Sequence, residues 1–261
     1  MTESPLRVTR HGTVLEVVLD RPKANAISGE TSRLMGDTFA GFRDDPDLRV
    51  AIVTGGGDKF FSAGWDLKGA AAGEAPDTDY GVGGFGGLQQ LPDLDKPVIA
   101  AVNGLAVGGG FELALSCDLI LASENARFSL PEIRAGTLAD AATVKLPRRI
   151  PYHVAMDMLY TGRWMEVDEA LRWGLVNEVL PRERLMTRAH EMAAVLGEGP
   201  PLVFAAIKEV ARETENMPFQ EAIAQIMRRG FPTVEKLYSS EDQLEGARAF
   251  AEKRPPVWKG R

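Results

Sequence analysis

Lys96-Pro97-Val98-Ile99-Ala100-Ala101-Val102-Asn103-Gly104-Leu105-Ala106-Val107-Gly108-Gly109-Gly110-Phe111-Glu112-Leu113 changes character twice along its length. Val98–Val102 is a short apolar run that reads as a buried strand, and Asn103-Gly104 stops it. The glycine run then leads into an apolar helix expected at about Gly109–Leu115. Glycine between strand and helix lets backbone N–H groups come close to a ligand. The N–H groups at a helix start, helped by the helix dipole, favour negative charge. Glu112 falls in the first turn of that helix, where its carboxylate can face the same pocket. The residues alone support a plainer reading equally well: glycine for close packing, and Glu112 as a dipole-favoured surface residue.

A second segment, Phe60-Phe61-Ser62-Ala63-Gly64-Trp65-Asp66-Leu67-Lys68, also places glycine after a predicted strand. Two backbone N–H groups meeting across a pocket would make an oxyanion hole. Farther out, Thr13–Leu19, Val50–Thr54 and Leu119–Ala122 read as further strands, and residues 30–43 carry helical spacing in Leu34, Met35, Phe39 and Phe42. Short apolar strands alternating with helical stretches predict an α/β layered fold with largely buried sheets. From about residue 140 helical periodicity dominates, with candidates at 153–161, 167–173, 183–196, 201–213, 218–229 and 240–253. Pro200-Pro201, Pro218 and Pro232 mark joints. The C-terminal third is expected to pack as a cap or an arm. Residues 69–87 are of low complexity and are expected to form a flexible loop. Their Gly81-Val82-Gly83-Gly84-Phe85-Gly86 matches a dinucleotide-binding pattern, but no strand precedes it and no long helix follows.

The 261 residues suit one large domain, or a core with a small appendage. With 44% hydrophobic and 26% charged residues the composition is that of a soluble globular protein. A net charge of −7 argues against nucleic-acid binding. The lone Cys117, in an apolar context, cannot form an internal disulfide and is expected to be a small buried residue. No signal-like N-terminus is evident, and the longest uncharged stretch, Pro97–Phe111, is too short to span a membrane. A cytoplasmic protein is expected. His11, His153 and His190 show no metal-ligand spacing, so no metal is expected.

The two glycine segments resemble the paired oxyanion-hole motifs of the crotonase (enoyl-CoA hydratase/isomerase) superfamily. The resemblance runs over nearly the whole chain. It includes Asp20–Ile27, Ser129-Leu130-Pro131-Glu132, Thr161-Gly162-Arg163, Ala170–Val176 and Phe250–Arg254. Within the superfamily, Lys59–Lys68 and Pro256–Arg261 are similar in particular to carnitinyl-CoA dehydratases. The resemblance implies a crotonase-like spiral of ββα units with a helical C-terminal region. It divides the chain into a core at 1–195 with the coenzyme A and acyl site, and a trimerisation or cap region at 196–261. The implied activity is that of a lyase, reversibly adding or eliminating water across the α,β bond of an acyl-CoA thioester, with carnitinyl-CoA and crotonobetainyl-CoA as the pair. A general enoyl-CoA hydratase or isomerase, and a silent acyl-CoA-binding paralogue, are the alternatives.

By position, the resemblance gives the thioester oxygen to the N–H groups of Trp65 and Gly109, and the acid–base work to Glu112 and Glu132. It gives coenzyme A contacts to Lys23, Ala24, Ala26, Ala63, Asp66, Leu67 and Lys68. Phe250 and Lys253 match a position reaching a neighbouring subunit's cofactor, and a homotrimer or dimer of trimers is implied. Coenzyme A enters as part of the substrate, with no tightly bound cofactor. A carnitinyl group carries a quaternary ammonium, which favours aromatic faces. Trp65, Phe85 and Phe111 are therefore candidates for the acyl pocket, bordered by the segment containing Asp140. That segment, Gly136–Thr143, departs from the family: Ala139 replaces a proline and a glycine pair is absent, so substrate preference or activity is expected to differ.

Overall fold

A computed structural model describes residues 4–261 except 72, 74, 76 and 77, with the side chains of 68 and 70 also outside the description. Contacts divide the chain into two units. One comprises the residues up to Leu94 and Val98–Ala193, the other Asp95–Pro97 and Ala194–Arg261.

In chain order the elements are β1 (Leu6–His11), β2 (Val14–Leu19), α1 (Gly29–Asp44), β3 (Val50–Gly55), β4 (Phe60–Ser62), α2 (Leu67–Ala71), β5 (Val98–Val102), β6 (Leu105–Val107) and α3 (Gly109–Leu115). There follow β7 (Leu119–Ser123), β8 (Arg127–Ser129), α4 (Glu132–Ala135), α5 (Asp140–Lys145), α6 (Tyr152–Thr161), β9 (Trp164–Glu166), α7 (Val167–Arg172), β10 (Glu178–Leu180) and α8 (Arg182–Gly197). The second unit carries α9 (Pro201–Glu213), α10 (Phe219–Met227), α11 (Pro232–Tyr238) and α12 (Glu245–Glu252).

The strands form two mixed sheets, ordered β1-β2-β3-β5-β7-β10 and β4-β6-β8-β9. In the first, only β1 and β2 pair antiparallel; in the second, only β8 and β9. The middle of the chain repeats one pattern: a strand in the large sheet, a strand in the small sheet, then a helix. It occurs as β3-β4-α2, β5-β6-α3 and β7-β8-α4. β3 and β5 are buried along their whole length. They are continuous apolar runs because a parallel strand covered on both faces has no side to give to water. Asn103, buried where β5 ends, bonds the carbonyls of Gly55 and Gly57 and ties neighbouring spiral turns together.

Some sequence expectations need correction. β1 lacks an alternating pattern because only Leu6 is buried, and it was not foreseen. β9 and β10 interrupt the stretch read as purely helical; each has three residues, too few for periodicity to register. The 240–253 helix is a 3₁₀ turn at Asp242–Leu244 followed by α12, and α11 follows Pro232 as a separate helix. Within the 69–87 stretch, of which residues 72, 74, 76 and 77 lie outside the description, residues 81–87 form successive tight turns, with Gly84 N–H bonding Gly81 O and Gly87 N–H bonding Gly84 O. Cys117 is half-buried, packed at the edge of the core. Among the described residues, no helix is long and apolar enough to cross a membrane.

Candidate active site

The spiral determines which residues meet. In the small sheet β4, β6 and β8 run parallel, with Ser62 beside Ala106 and Val107 beside Ser129. Their carboxyl ends therefore lie side by side, and each opens directly into a turn and a helix. The turn after β4 carries Gly64 and Trp65, that after β6 carries Gly108 and Gly109, and that after β8 carries Pro131 and Glu132. Open α/β sheets bind ligands at such strand ends.

The first two turns touch. A Cβ on Gly64 would stand 2.6 Å from the Val107 carbonyl oxygen and 2.7 Å from the Gly109 nitrogen. With φ +79°, Gly64 also occupies a region that side chains disfavour. Gly109 is the first residue of α3, so its N–H lies outside the intrahelical ladder. A Cβ there would overlap the Phe85 ring, which covers this turn. The Gly108 N–H bonds Ser129 O at 2.9 Å and so joins the second turn to the third strand.

The loop at 21–27 is zipped onto the first turn. Ile27 N–H bonds Gly64 O at 2.7 Å, Ala63 N–H bonds Ala24 O at 2.9 Å and Asp66 N–H bonds Ile27 O at 2.9 Å. Arg21 pairs with Asp66 at 2.6 Å. Asn25, buried with φ +52°, donates to Gly56 O and Phe60 O. Lys23, Ala24, Ala26, Ala63, Asp66 and Leu67 are thus brought to one place. Lys23 and Leu67 are exposed there, whereas the Asp66 carboxylate is engaged by Arg21 and by the Gly69 N–H. The Lys68 side chain lies outside the described residues. Phe250 is exposed on α12, and Lys253 caps that helix in the left-handed conformation.

The two glutamates are held differently. Glu112 is buried in the first turn of α3. One of its oxygens accepts from Ala142 N–H at 2.9 Å, the other from Gln89 Nε2 at 3.3 Å. Burial nonetheless pushes its carboxyl above the usual range. Glu132 opens α4, and one oxygen lies where a Cβ on Gly108 would stand 2.5 Å away. Its other oxygen is buried with no hydrogen-bond partner among the described residues. Burial first, then the charges of Glu112 and Asp140, raise the Glu132 carboxyl to about 7.

Around them, α5 turns its N-terminus toward Glu112, and its Lys145 bonds Ser116 Oγ at 2.9 Å. Ser116 Oγ in turn donates to Glu112 O at 2.8 Å. The Lys145 ammonium is depressed by burial. The departure at 136–143 leaves this contact intact: Ala142 is fully buried, yet its N–H reaches Glu112. Asp140 is exposed at the start of α5 and acts on both acids through its charge. Trp65 and Phe85 are half-buried beside the glycine turns, and Tyr80 meets Phe85 edge-on at 5.3 Å. Phe111 is a correction. It is fully buried and packs on Phe128 at 5.1 Å, so it belongs to the core and offers no surface to an acyl group. Sequence reasoning missed Gln89, Ala142, Lys145 and Ser116, since nothing in local pattern links them to Glu112.

The family described as Enoyl-CoA hydratase/isomerase matches residues 9–261. The chain is 56% identical over 262 aligned positions to the carnitinyl-CoA dehydratase of Citrobacter koseri, covering 100% of both chains. It is equally similar to the enzyme of that name from Salmonella typhi. Among solved structures it superposes on an enoyl-CoA hydratase from Mycobacterium tuberculosis H37Rv with a TM-score of 0.90 at 35% identity, covering 99% of this chain and 100% of that one. A Bacillus anthracis enoyl-CoA hydratase gives 0.89 at 31% identity, with the same coverage. With its ββα spiral, two mixed sheets and C-terminal helices, the chain belongs to the enoyl-CoA hydratase/isomerase family, the crotonase superfamily.

Proposed function

We propose that this chain reversibly hydrates crotonobetainyl-CoA to carnitinyl-CoA, with Glu112 and Glu132 as the acid–base pair and the Trp65 and Gly109 N–H groups as the oxyanion donors. The observation that carries the reading is the meeting of buried Glu112 and half-buried Glu132 beside a pair of glycine turns, in a chain 56% identical over its full length to carnitinyl-CoA dehydratases.

The chemistry follows from where charge develops. Water attacks the β carbon, and the thioester oxygen takes up negative charge as an enolate. Backbone donors aimed at that oxygen lower the barrier; loss of one such donor in known systems costs about 3–4 kcal/mol. The enolate collapses as the α carbon receives a proton. Glu112, whose two oxygens both accept hydrogen bonds, is the better ionised group and takes the proton from water. Glu132, raised to about 7 and with one oxygen lacking a partner among the described residues, is the better acid and delivers the α proton. Dehydration runs the same steps backward.

Coenzyme A is assigned to the loop at 21–27 and to Ala63 through Lys68, with Phe250 and Lys253 serving a neighbouring subunit of a trimer or a dimer of trimers. The quaternary ammonium is assigned to Trp65 and Phe85, because aromatic faces attract such cations. Filling of both glutamate positions favours hydration over double-bond isomerisation. Steady-state turnover of crotonobetainyl-CoA against crotonyl-CoA tests the reading. Preference for the charged substrate, reduced in Trp65→Leu, is expected. Equal turnover of both by wild type and variant would sink the carnitinyl assignment.

A further inference from the structure

Apart from the acyl-CoA site, one side-chain cluster joins elements that lie far apart in the chain. His11 ends β1, Glu16 lies in β2 and His190 in α8. The β1–β2 register sets Thr9 opposite Glu16 and His11 opposite Val14. Alternate residues of a strand share a face, so His11 projects on the same side as Glu16. From α8, 174 positions after Glu16, His190 Nε2 comes to 2.7 Å from Glu16 Oε2. His11 Nε2 stands 3.8 Å from that same oxygen, and the two rings meet edge-on with centroids 5.0 Å apart. One ligand atom from each residue lies within 4.8 Å of the others, and no other such group occurs among the described residues.

We propose that His11, Glu16 and His190 form a binding site for a divalent transition-metal ion of the Zn²⁺ class, which ties α8 to the β1–β2 hairpin. Two imidazoles and one carboxylate are a donor set that Zn²⁺ accepts, whereas Mg²⁺ and Ca²⁺ prefer oxygen throughout. A tetrahedral ion with bonds of about 2.0–2.1 Å holds its ligand atoms about 3.3 Å apart. The separations of 2.7 and 3.8 Å to the shared Glu16 oxygen bracket that spacing. Partial exposure leaves the side chains room to close the difference by rotation. None of the three takes part in the acyl-CoA chemistry, so the ion is structural, and the fourth coordination position falls to water.

The test uses the full-length protein, stripped with chelator and titrated with Zn²⁺ by calorimetry and by thermal unfolding. One saturable Zn²⁺ per chain and a rise in Tm are expected. His11→Ala and His190→Ala should each weaken binding at least tenfold, while hydratase turnover and the metal-free Tm stay near wild type, and excess Mg²⁺ should not compete. Absence of saturable binding, or unchanged Zn²⁺ affinity in both variants, overturns the proposal. Should either alanine variant fold poorly, Glu16→Gln removes the carboxylate ligand while keeping an acceptor for His190. Wild-type affinity in that variant would overturn the proposal equally.

Discussion

Glu112 and Glu132 stand on successive turns of the spiral, one as the fourth residue of α3 and the other as the first of α4, and meet different surroundings. Glu112 is gripped by a backbone N–H and a side-chain amide, donors that favour its ionised form. Glu132 keeps one buried oxygen without a partner among the described residues and sits within reach of two other acids, and both conditions favour its protonated form. The proposed base and acid are thus one residue type in two settings, because the second and third turns surround them differently.

The comparison breaks most completely at Gly108, which touches both groups. Its carbonyl accepts the Glu112 N–H at 3.0 Å, and a Cβ would press on the Glu132 carboxylate. Its φ of +54° with ψ of −127° also suits glycine alone. Gly108→Ala should lower crotonobetainyl-CoA turnover by more than about a thousandfold in a protein that circular dichroism shows to be folded. Near-wild-type turnover would mean that this turn does not position the acids. Next, Glu112→Gln and Glu132→Gln should each lower kcat by roughly a hundred- to ten-thousandfold. The double variant should fall far short of the product of the two losses, since the groups act as one unit. Additive losses would show that the acids work independently.

pH sharpens the contrast. Loss of the Glu132 proton near 7 should give the hydration rate a descending alkaline limb, reported as a property of the coupled pair and absent in Glu132→Gln. Stability carries the same signature. The carboxyl is raised in the folded state, so its contribution is full below the unfolded value near 4.5 and is lost as pH rises through about 7. Glu132→Gln should therefore be more stable than wild type at pH 8, by about 2 kcal/mol once partial solvent access is allowed for, with no gain near pH 4. Denaturant titrations at the two pH values measure this. The smallest effect is expected at Gln89→Leu. Loss of one donor to Glu112 should shift the acid limb upward and cost about 1 kcal/mol in kcat/KM. An unmoved limb would show that Ala142 alone holds the carboxylate.

The legible parts of the site were those carried by local sequence. Gly64 and Gly108-Gly109 are visible because a chain that turns sharply between strand and helix calls for glycine, and Glu112 follows at helical spacing. Gln89 was hidden just past a glycine-rich stretch without periodicity, and Phe85, named as a pocket candidate, had no position that local pattern could give. Their positions depend on turns packed against α1, where Gly86 N–H bonds Ser32 Oγ and a Cβ on Gly87 would meet Met35. Phe111 was misread for a related reason: an aromatic residue on an apolar helix looks the same in sequence whether it faces a pocket or the core.

Local chemistry alone determined the buried strands, the glycine turns, most helices and, through the family motifs, the class of reaction. Those features depend on interactions between near neighbours in the chain, so residue order suffices to specify them. Only the tertiary fold decided that the β4, β6 and β8 turns stand side by side, that Ala142 and Gln89 grip Glu112 while Glu132 keeps an unpartnered oxygen, and that His11 and His190 converge on Glu16. Burial, charge coupling and donor geometry arise between groups distant in sequence, and they exist only once the spiral has closed.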